Sequence, residues 1–143
     1  MASIRILVAD DHAVARRAIR SVLASDPELE VVSEVASGEE AVQKAQELRP
    51  DIILLDISLP GKSGIQAATT IRAVSPQSRT IFVSQHDSVQ IAKDALSVGA
   101  YGYVVKSDAG HDLLAAIAAA RDGRTFVSRT LLARGWKSVG RTA

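Results

Sequence analysis

The chain has 143 residues, enough for one domain with a sizeable core and too few for two full ones. Apolar residues make up 47% but aromatics only 3%, so the core is built from Val, Ile, Leu and Ala. With no cysteine, disulfides and thiolate metal sites are excluded. The net charge of +1 divides into an acidic body and a basic tail. The first 120 residues carry 11 basic and 15 acidic side chains. From Arg121 onward there are six basic residues (Arg121, Arg124, Arg129, Arg134, Lys137 and Arg141) against Asp122 alone.

The chain goes from Met1-Ala2-Ser3 straight into a strand-like run, Ile4 to Ala9, without a signal-peptide layout. No apolar stretch is long enough to cross a bilayer, so the expectation is a cytoplasmic protein with no membrane partner. Val14, Ala15, Ala18, Ile19, Val22 and Leu23 recur at helical spacing, and Pro27 stops that helix. Val31 to Ala36 reads as a second strand. Ser37-Gly38-Glu39-Glu40 is a capping box opening a helix with Ala41, Val42, Ala45 and Leu48 on its apolar face, closed by Pro50. Asp51 to Asp56 is a third strand; its unbroken apolar stretch points to a central position covered on both faces. Pro60-Gly61 makes a turn, and a helix follows from about Ser63 with Ile65, Ala68 and Ile71 inward. Thr80 to Ser84 is the fourth strand. Asp87 is the expected cap of a fourth helix ended by Gly99. Tyr101 to Val105 is the fifth strand, and Ser107 or Asp108 caps a last helix carrying Leu113, Leu114 and Ile117. The short apolar piece Thr125-Phe126-Val127-Ser128 is expected to pack back on the domain.

Five β-α units in series predict an α/β fold with helices on both faces of a parallel sheet. The expected form is a flavodoxin-like doubly wound five-stranded sheet of order 2-1-3-4-5. The domain is expected over residues 1–123, with 124–143 a basic C-terminal extension or the start of a linker. As a linker the tail needs no partner, and scattered arginines alone do not make a nucleic-acid site.

In such sheets ligands bind at the carboxyl ends of the strands. Those ends hold Asp10 and Asp11, Asp56, Ser84, and Lys106 just beyond the fifth strand. Three carboxylates at one edge repel and need compensation. A hard divalent cation such as Mg²⁺ (or Mn²⁺) takes one or two carboxylates together with waters and a phosphate oxygen, and the Lys106 ammonium offsets further negative charge. Such a set suits the transfer of a phosphoryl group onto a carboxylate. Taken singly, Asp11 could cap the first helix and Lys106 could be solvated; it is their joint placement that carries the reading.

These residues resemble those of response-regulator receiver domains over residues 4–122. The matching stretches are Ile6-Leu7-Val8-Ala9-Asp10-Asp11-His12, the run from Asp51 through Asp56-Ile57-Ser58-Leu59-Pro60-Gly61-Lys62-Ser63-Gly64, Val83-Ser84, and Gly99-Ala100-Tyr101-Gly102-Tyr103-Val104-Val105-Lys106. The resemblance implies that Asp56 is the phosphoacceptor and that Asp10 and Asp11 bind Mg²⁺ (or Mn²⁺), Asp11 the more directly. It further implies that Asp56 and the main-chain carbonyl of Ser58 complete the metal site and that Lys106 contacts the phosphoryl group. Ser84 and Tyr103 would be a switch pair: Ser84 moves toward the phosphoryl oxygen and the ring of Tyr103 turns inward, repacking the face of the fourth helix, fifth strand and fifth helix. The product is then an altered surface, so the domain is expected to be a switch that assists its own phosphotransfer and dephosphorylation rather than an enzyme.

The sequence departs from common receivers at Leu59, at Ser107 in place of proline, and at Gln85, which stands beside the switch hydroxyl; His86 reads as a surface residue before a helix cap, in preference to a role in dephosphorylation. The segment Leu113-Leu114-Ala115-Ala116-Ile117 with Gly123 to Ser128 is similar to the NarL/FixJ (LuxR-type) group. That likeness implies a sensor histidine kinase or phosphotransfer protein as partner and a homodimer on phosphorylation. DNA would be contacted only through a helix-turn-helix domain not present in these residues, so the chain reads as a stand-alone receiver or a fragment of a longer regulator. Against this stand a phosphorylation-independent interaction module, which Gln85 keeps open, and a flavin or nucleotide binder. The latter would want a Gly-rich or Ser/Thr-rich first loop where Asp10-Asp11-His12-Ala13 stands. An aspartyl-phosphate hydrolase would want a second acid where Ser58 stands.

Overall fold

A computed structural model describes residues 3–137. Six strands alternate with six helices: β1 (Ile4–Ala9), α1 (Ala13–Leu23), β2 (Leu29–Val35), α2 (Gly38–Leu48), β3 (Ile52–Leu55), α3 (Gly64–Val74), β4 (Arg79–Ser84), α4 (Val89–Leu96), β5 (Gly102–Val105), α5 (Ala109–Arg121), β6 (Phe126–Val127) and α6 (Arg129–Ala133). All strand pairs are parallel, in the order β2-β1-β3-β4-β5-β6.

The alternation of each strand divides the core. Leu7, Ile53, Leu55, Phe82 and Tyr103 face one side, against Ala41 and Ala45 of α2, Ala67, Ala68 and Ile71 of α3, and Ala92 and Ala95 of α4. Ile6, Val8, Ile52, Leu54, Ile81, Val83 and Val104 face the other, against Ile19 and Leu23 of α1 and Leu113, Ala116, Ile117 and Ala120 of α5. The alanines bring the helix backbones close to the sheet, which is how a chain with few aromatics closes its core. Val14 and Ala18 are exposed rather than on the inward face of α1; Val14 is 75% exposed. Its first turn lies at the carboxyl edge of the sheet, beyond the strands it would otherwise pack on.

The expected strand count of five is corrected to six. Gly123, at φ +76°, turns the chain off the end of α5. Phe126 and Val127 then pair with Gly102 and Tyr103. The Phe126 and Ser128 amides donate to the carbonyls of Tyr101 and Tyr103, covering the β5 edge that a five-stranded sheet would leave open. The packed fold therefore runs past Gly123 into α6, whose Leu131 is fully buried. Residues 138–143 of the basic tail, Arg141 included, lie outside the described residues.

The helix starts follow local chemistry with three differences. Ser37 accepts from the Glu40 amide as a cap should, but Glu40 reaches back to the Ala36 amide and the Ser37 hydroxyl, not to the Ser37 amide. Ser88, not Asp87, caps α4, accepting from the Ile91 amide. Asp108 occupies the cap position of α5 without capping it, because its carboxylate is used elsewhere. Ser63 and Gln66 form the full reciprocal box at α3.

Candidate phosphoryl-transfer site

The strand order reverses between β1 and β3, and the crevice beyond their ends is where the acidic residues gather. Asp10 and Asp56 continue their strands by one residue: the Asp10 amide donates to the Val35 carbonyl and the Asp56 amide to the Ala9 carbonyl. Both carboxylates are almost completely buried. Gly64 allows the approach of α3 to this edge; a Cβ there would run into the Asp56 carbonyl.

Lys106 comes in from the end of β5. Its Nζ stands 2.8 Å from Asp10 Oδ2 and 3.0 Å from Asp56 Oδ2. Burial alone would lower the Lys106 pKa, but the two carboxylates overturn this and hold it above its ordinary value, so the ammonium stays charged. Against Asp56 it makes a directed hydrogen bond. Against Asp10 the contact is an ion pair, the shorter of the two.

Ligand atoms of Asp10, Asp11, His12 and Asp56 lie within 4.8 Å of one another. Three carboxylates converging at one point, two of them buried, with a single ammonium among them, form a hard-oxygen donor set that fits a hard divalent cation. Asp10 Oδ1 is already engaged by the His12 amide at 2.8 Å, which aims Oδ2 at the cluster. Asp11 is more exposed, with Oδ1 3.2 Å from His12 Nδ1.

The remaining residues converge on one loop, from Gln85 to Ser88. The Ser84 hydroxyl, fully buried, accepts from the His86 amide at 3.2 Å. The Tyr103 hydroxyl donates to the His86 carbonyl at 2.8 Å. The Tyr103 ring already lies inward, fully buried, 6.3 Å from the Phe82 ring. Burial pushes its hydroxyl up to about 12, with the neighbouring Ser84 hydroxyl pulling the other way. Ser58 sits in the β3–α3 loop; its amide reaches toward Asp56 Oδ1 at 3.4 Å, and its hydroxyl shares a 2.9 Å hydrogen bond with His86 Nε2. Gln85 is exposed.

The structure thus brings Asp10, Asp11, Asp56 and Lys106 together and links Ser84 to Tyr103 through His86. Two participants were not expected from the sequence: His12 within the acidic cluster, and His86, bridging Ser58, Ser84 and Tyr103. Neither has a local signal, since their roles depend on loops brought together by the sheet. The pins of α6 were missed for the same reason. Asp108 accepts from the Thr130 amide and hydroxyl, and Asp112 accepts from the Arg129 amide and guanidinium.

The profile of the response regulator receiver domain family matches residues 6–118. The oxygen regulatory protein NreC of Staphylococcus epidermidis is 35% identical over 128 residues, covering 89% of this chain and 59% of that protein. NreC of Staphylococcus aureus is 36% identical over the same span. The chain therefore spans about three-fifths of the length of these curated relatives. Among solved structures, a LuxR-family two-component response regulator from Aurantimonas sp. SI85-9A1 superposes with a TM-score of 0.87 at 34% identity, over 92% of this chain and 94% of that one. The isolated receiver domain of RcsB from Salmonella enterica serovar Typhimurium, solved with the phosphomimetic BeF3⁻, gives 0.84 at 25% identity over 92% and 97%. Among the described residues no helix is long and apolar enough to cross a membrane. The acidic crevice at the β1/β3 switch point, the sheet order and these matches agree: the chain belongs to the response-regulator receiver domain family, in its NarL/FixJ-like group.

Proposed function

We propose that Asp56 is the phosphoacceptor of a two-component signalling switch. The observation that carries this reading is the Lys106 ammonium set between the buried carboxylates of Asp10 and Asp56 at 2.8 and 3.0 Å. A carboxylate oxygen of Asp56 forms the new bond to phosphorus as the bond to the donor, a sensor histidine kinase or phosphotransfer protein, breaks. Lys106 meets the added negative charge without moving out of the crevice. Asp10, Asp11, Asp56 and the Ser58 carbonyl would hold a Mg²⁺ or Mn²⁺, which would neutralise charge on the phosphoryl oxygens. The Ser84 hydroxyl turns toward the phosphoryl group, and Tyr103 holds the inward position that its bond to His86 supports.

The result is a change in the surface of α4, β5 and α5 rather than a chemical product. Self-association on phosphorylation uses that surface or α1 and α5. In a NarL/FixJ-like regulator the output is transcription, through a helix-turn-helix domain outside these residues. Intact mass after incubation with acetyl phosphate and Mg²⁺ tests the reading. One added phosphoryl group is expected in the wild-type chain and none in Asp56→Asn or without metal. A folded, metal-loaded wild-type chain that gains no mass overturns it.

A further inference from the structure

The segment after β6 returns to the switch loop. Its start is pinned to α5: Asp112 accepts from the Arg129 amide and guanidinium, and Asp108 from the Thr130 amide and hydroxyl. The Ser128 hydroxyl accepts from the Val105 amide at 3.0 Å, one residue before Lys106. Leu131, fully buried, joins the cluster that holds the Tyr103 ring, and Val127 and Trp136 pack against that cluster. The far end of the segment touches the switch loop itself: Arg134 Nη2 lies 2.9 Å from Asp87 Oδ2. Asp87 directly follows His86, whose amide is held by Ser84 and whose carbonyl is held by Tyr103.

We propose that residues 129–136 are a latch that closes over the β4–α4 loop and reads the state of Asp56, an inference that rests on the phosphoacceptor reading above. The closed latch and the inward Tyr103 are one cooperative arrangement. The ring lies in the same buried cluster as Leu131, and its hydroxyl fixes the loop residue next to the one Arg134 grips. An outward ring would displace the packing beneath the latch. Phosphorylation, by drawing Ser84 and favouring the inward ring, therefore closes the latch further. The Arg134–Asp87 pair is half-exposed at both ends and so weak on its own, which suits a contact that switches; the anchoring comes from Leu131, Asp108 and Asp112.

Backbone hydrogen exchange across residues 128–137 tests this, on the whole chain with and without acetyl phosphate and Mg²⁺, with phosphoryl incorporation followed by intact mass. Phosphorylation should raise protection of this segment roughly two- to fivefold, the range an exposed ion pair supports. Arg134→Ala and Asp87→Asn should lower basal protection by a similar factor and abolish the phosphorylation-dependent gain. The charge swap Arg134→Asp with Asp87→Arg should restore it. A chain that gains phosphate while exchange across 128–137 stays unchanged or speeds up overturns the latch and leaves the phosphoacceptor reading standing. A chain that gains no phosphate overturns both.

Discussion

Lys106 Nζ lies 3.0 Å from Asp56 Oδ2 in a directed hydrogen bond, and the same ammonium faces Asp10 Oδ2 across the crevice. It is the single cation that the described residues place against two buried carboxylates. Replacing it with an apolar side chain of similar length leaves those carboxylates facing each other. Lys106→Met should cost about 2 kcal/mol at neutral pH, below the full loss of a buried pair because Lys106 is partly solvated. Added Mg²⁺ should restore much of this, since a divalent cation would take the place of the ammonium in the charge balance. Urea unfolding midpoints with and without Mg²⁺ measure both effects; a variant as stable as wild type without metal would show that the carboxylates are compensated by other means.

Tyr103 gives a second prediction, through pH. Its hydroxyl is pushed up to about 12 by burial, above the ordinary value near 10 of an unfolded chain. A raised folded-state pKa means that the neutral form is the one the fold prefers. Its contribution to stability is complete below pH ~10 and is lost as the pH rises toward 12. In a Tyr101→Phe background Tyr103 is the only tyrosine, and its ultraviolet titration should show ionisation near pH 12, together with alkaline unfolding. A midpoint near 10 in the folded protein would mean that the ring is not held inward. Tyr103→Phe keeps the ring but leaves the His86 carbonyl without its donor, at a cost of about 1 kcal/mol.

Asp112 titrates with the opposite sign. Burial favours its protonated form, but hydrogen bonds from Arg129 outweigh this and hold the carboxyl below the ordinary aspartate value. The stability it contributes is complete above pH ~3.9, the unfolded value, and is lost as the pH falls through the lower folded one. Because Asp112 pins the start of α6, the emission of Trp136, the sole tryptophan, should report detachment of α6 in that acid range. In Asp112→Asn the same change should already be present at neutral pH. An Asp112→Asn spectrum identical to wild type from neutral to acid pH would place Trp136 independently of this pin.

Two glycines separate a steric requirement from a conformational one. A Cβ on Gly64 would collide with the Asp56 carbonyl, whereas one on Gly110 meets nothing within 4 Å. Gly64→Ala should destabilise by roughly 1–3 kcal/mol, as overpacking against backbone does, and should also weaken phosphorylation by moving the Asp56 strand end. Gly110→Ala, in the first turn of α5, should instead stabilise by about 0.5 kcal/mol. Denaturation midpoints of the two variants decide it, and similar values for both would show that the β3–α3 junction has slack.

What the sequence disclosed followed from locality. Asp10, Asp56, Ser84 and Lys106 are each the residue at or next to the end of an apolar run, and a parallel sheet with right-handed crossovers forces those ends to one edge. Ser37 and Ser63 cap helices within three residues of themselves. The sixth strand was a two-residue piece, too short to show a period, whose reason for existing is the open edge of β5. Asp108 has the position of a helix cap and Asp112 stands in the first turn of α5, yet both serve a helix some twenty residues further on. Val14 has the right spacing for burial and is exposed because the sheet ends before it.

His86 is the residue whose role changed most between sequence and structure. It reads as a surface histidine, yet its ring shares a 2.9 Å hydrogen bond with Ser58, whose amide faces Asp56, while its backbone holds Ser84 and Tyr103. The ring therefore ties the β3–α3 loop to the β4–α4 loop at the rim of the crevice. His86→Ala leaves the backbone contacts in place and removes only this tie, so water gains access to the rim. The phosphorylated form should then lose its phosphoryl group about two- to fivefold faster, the scale of losing one modest hydrogen bond. Ser58→Ala should do the same, and the double variant should add little, because both single changes break one bond. Decay of the phosphorylated mass after removal of acetyl phosphate gives the rates. Additive effects in the double variant would mean that the two side chains act separately on Asp56.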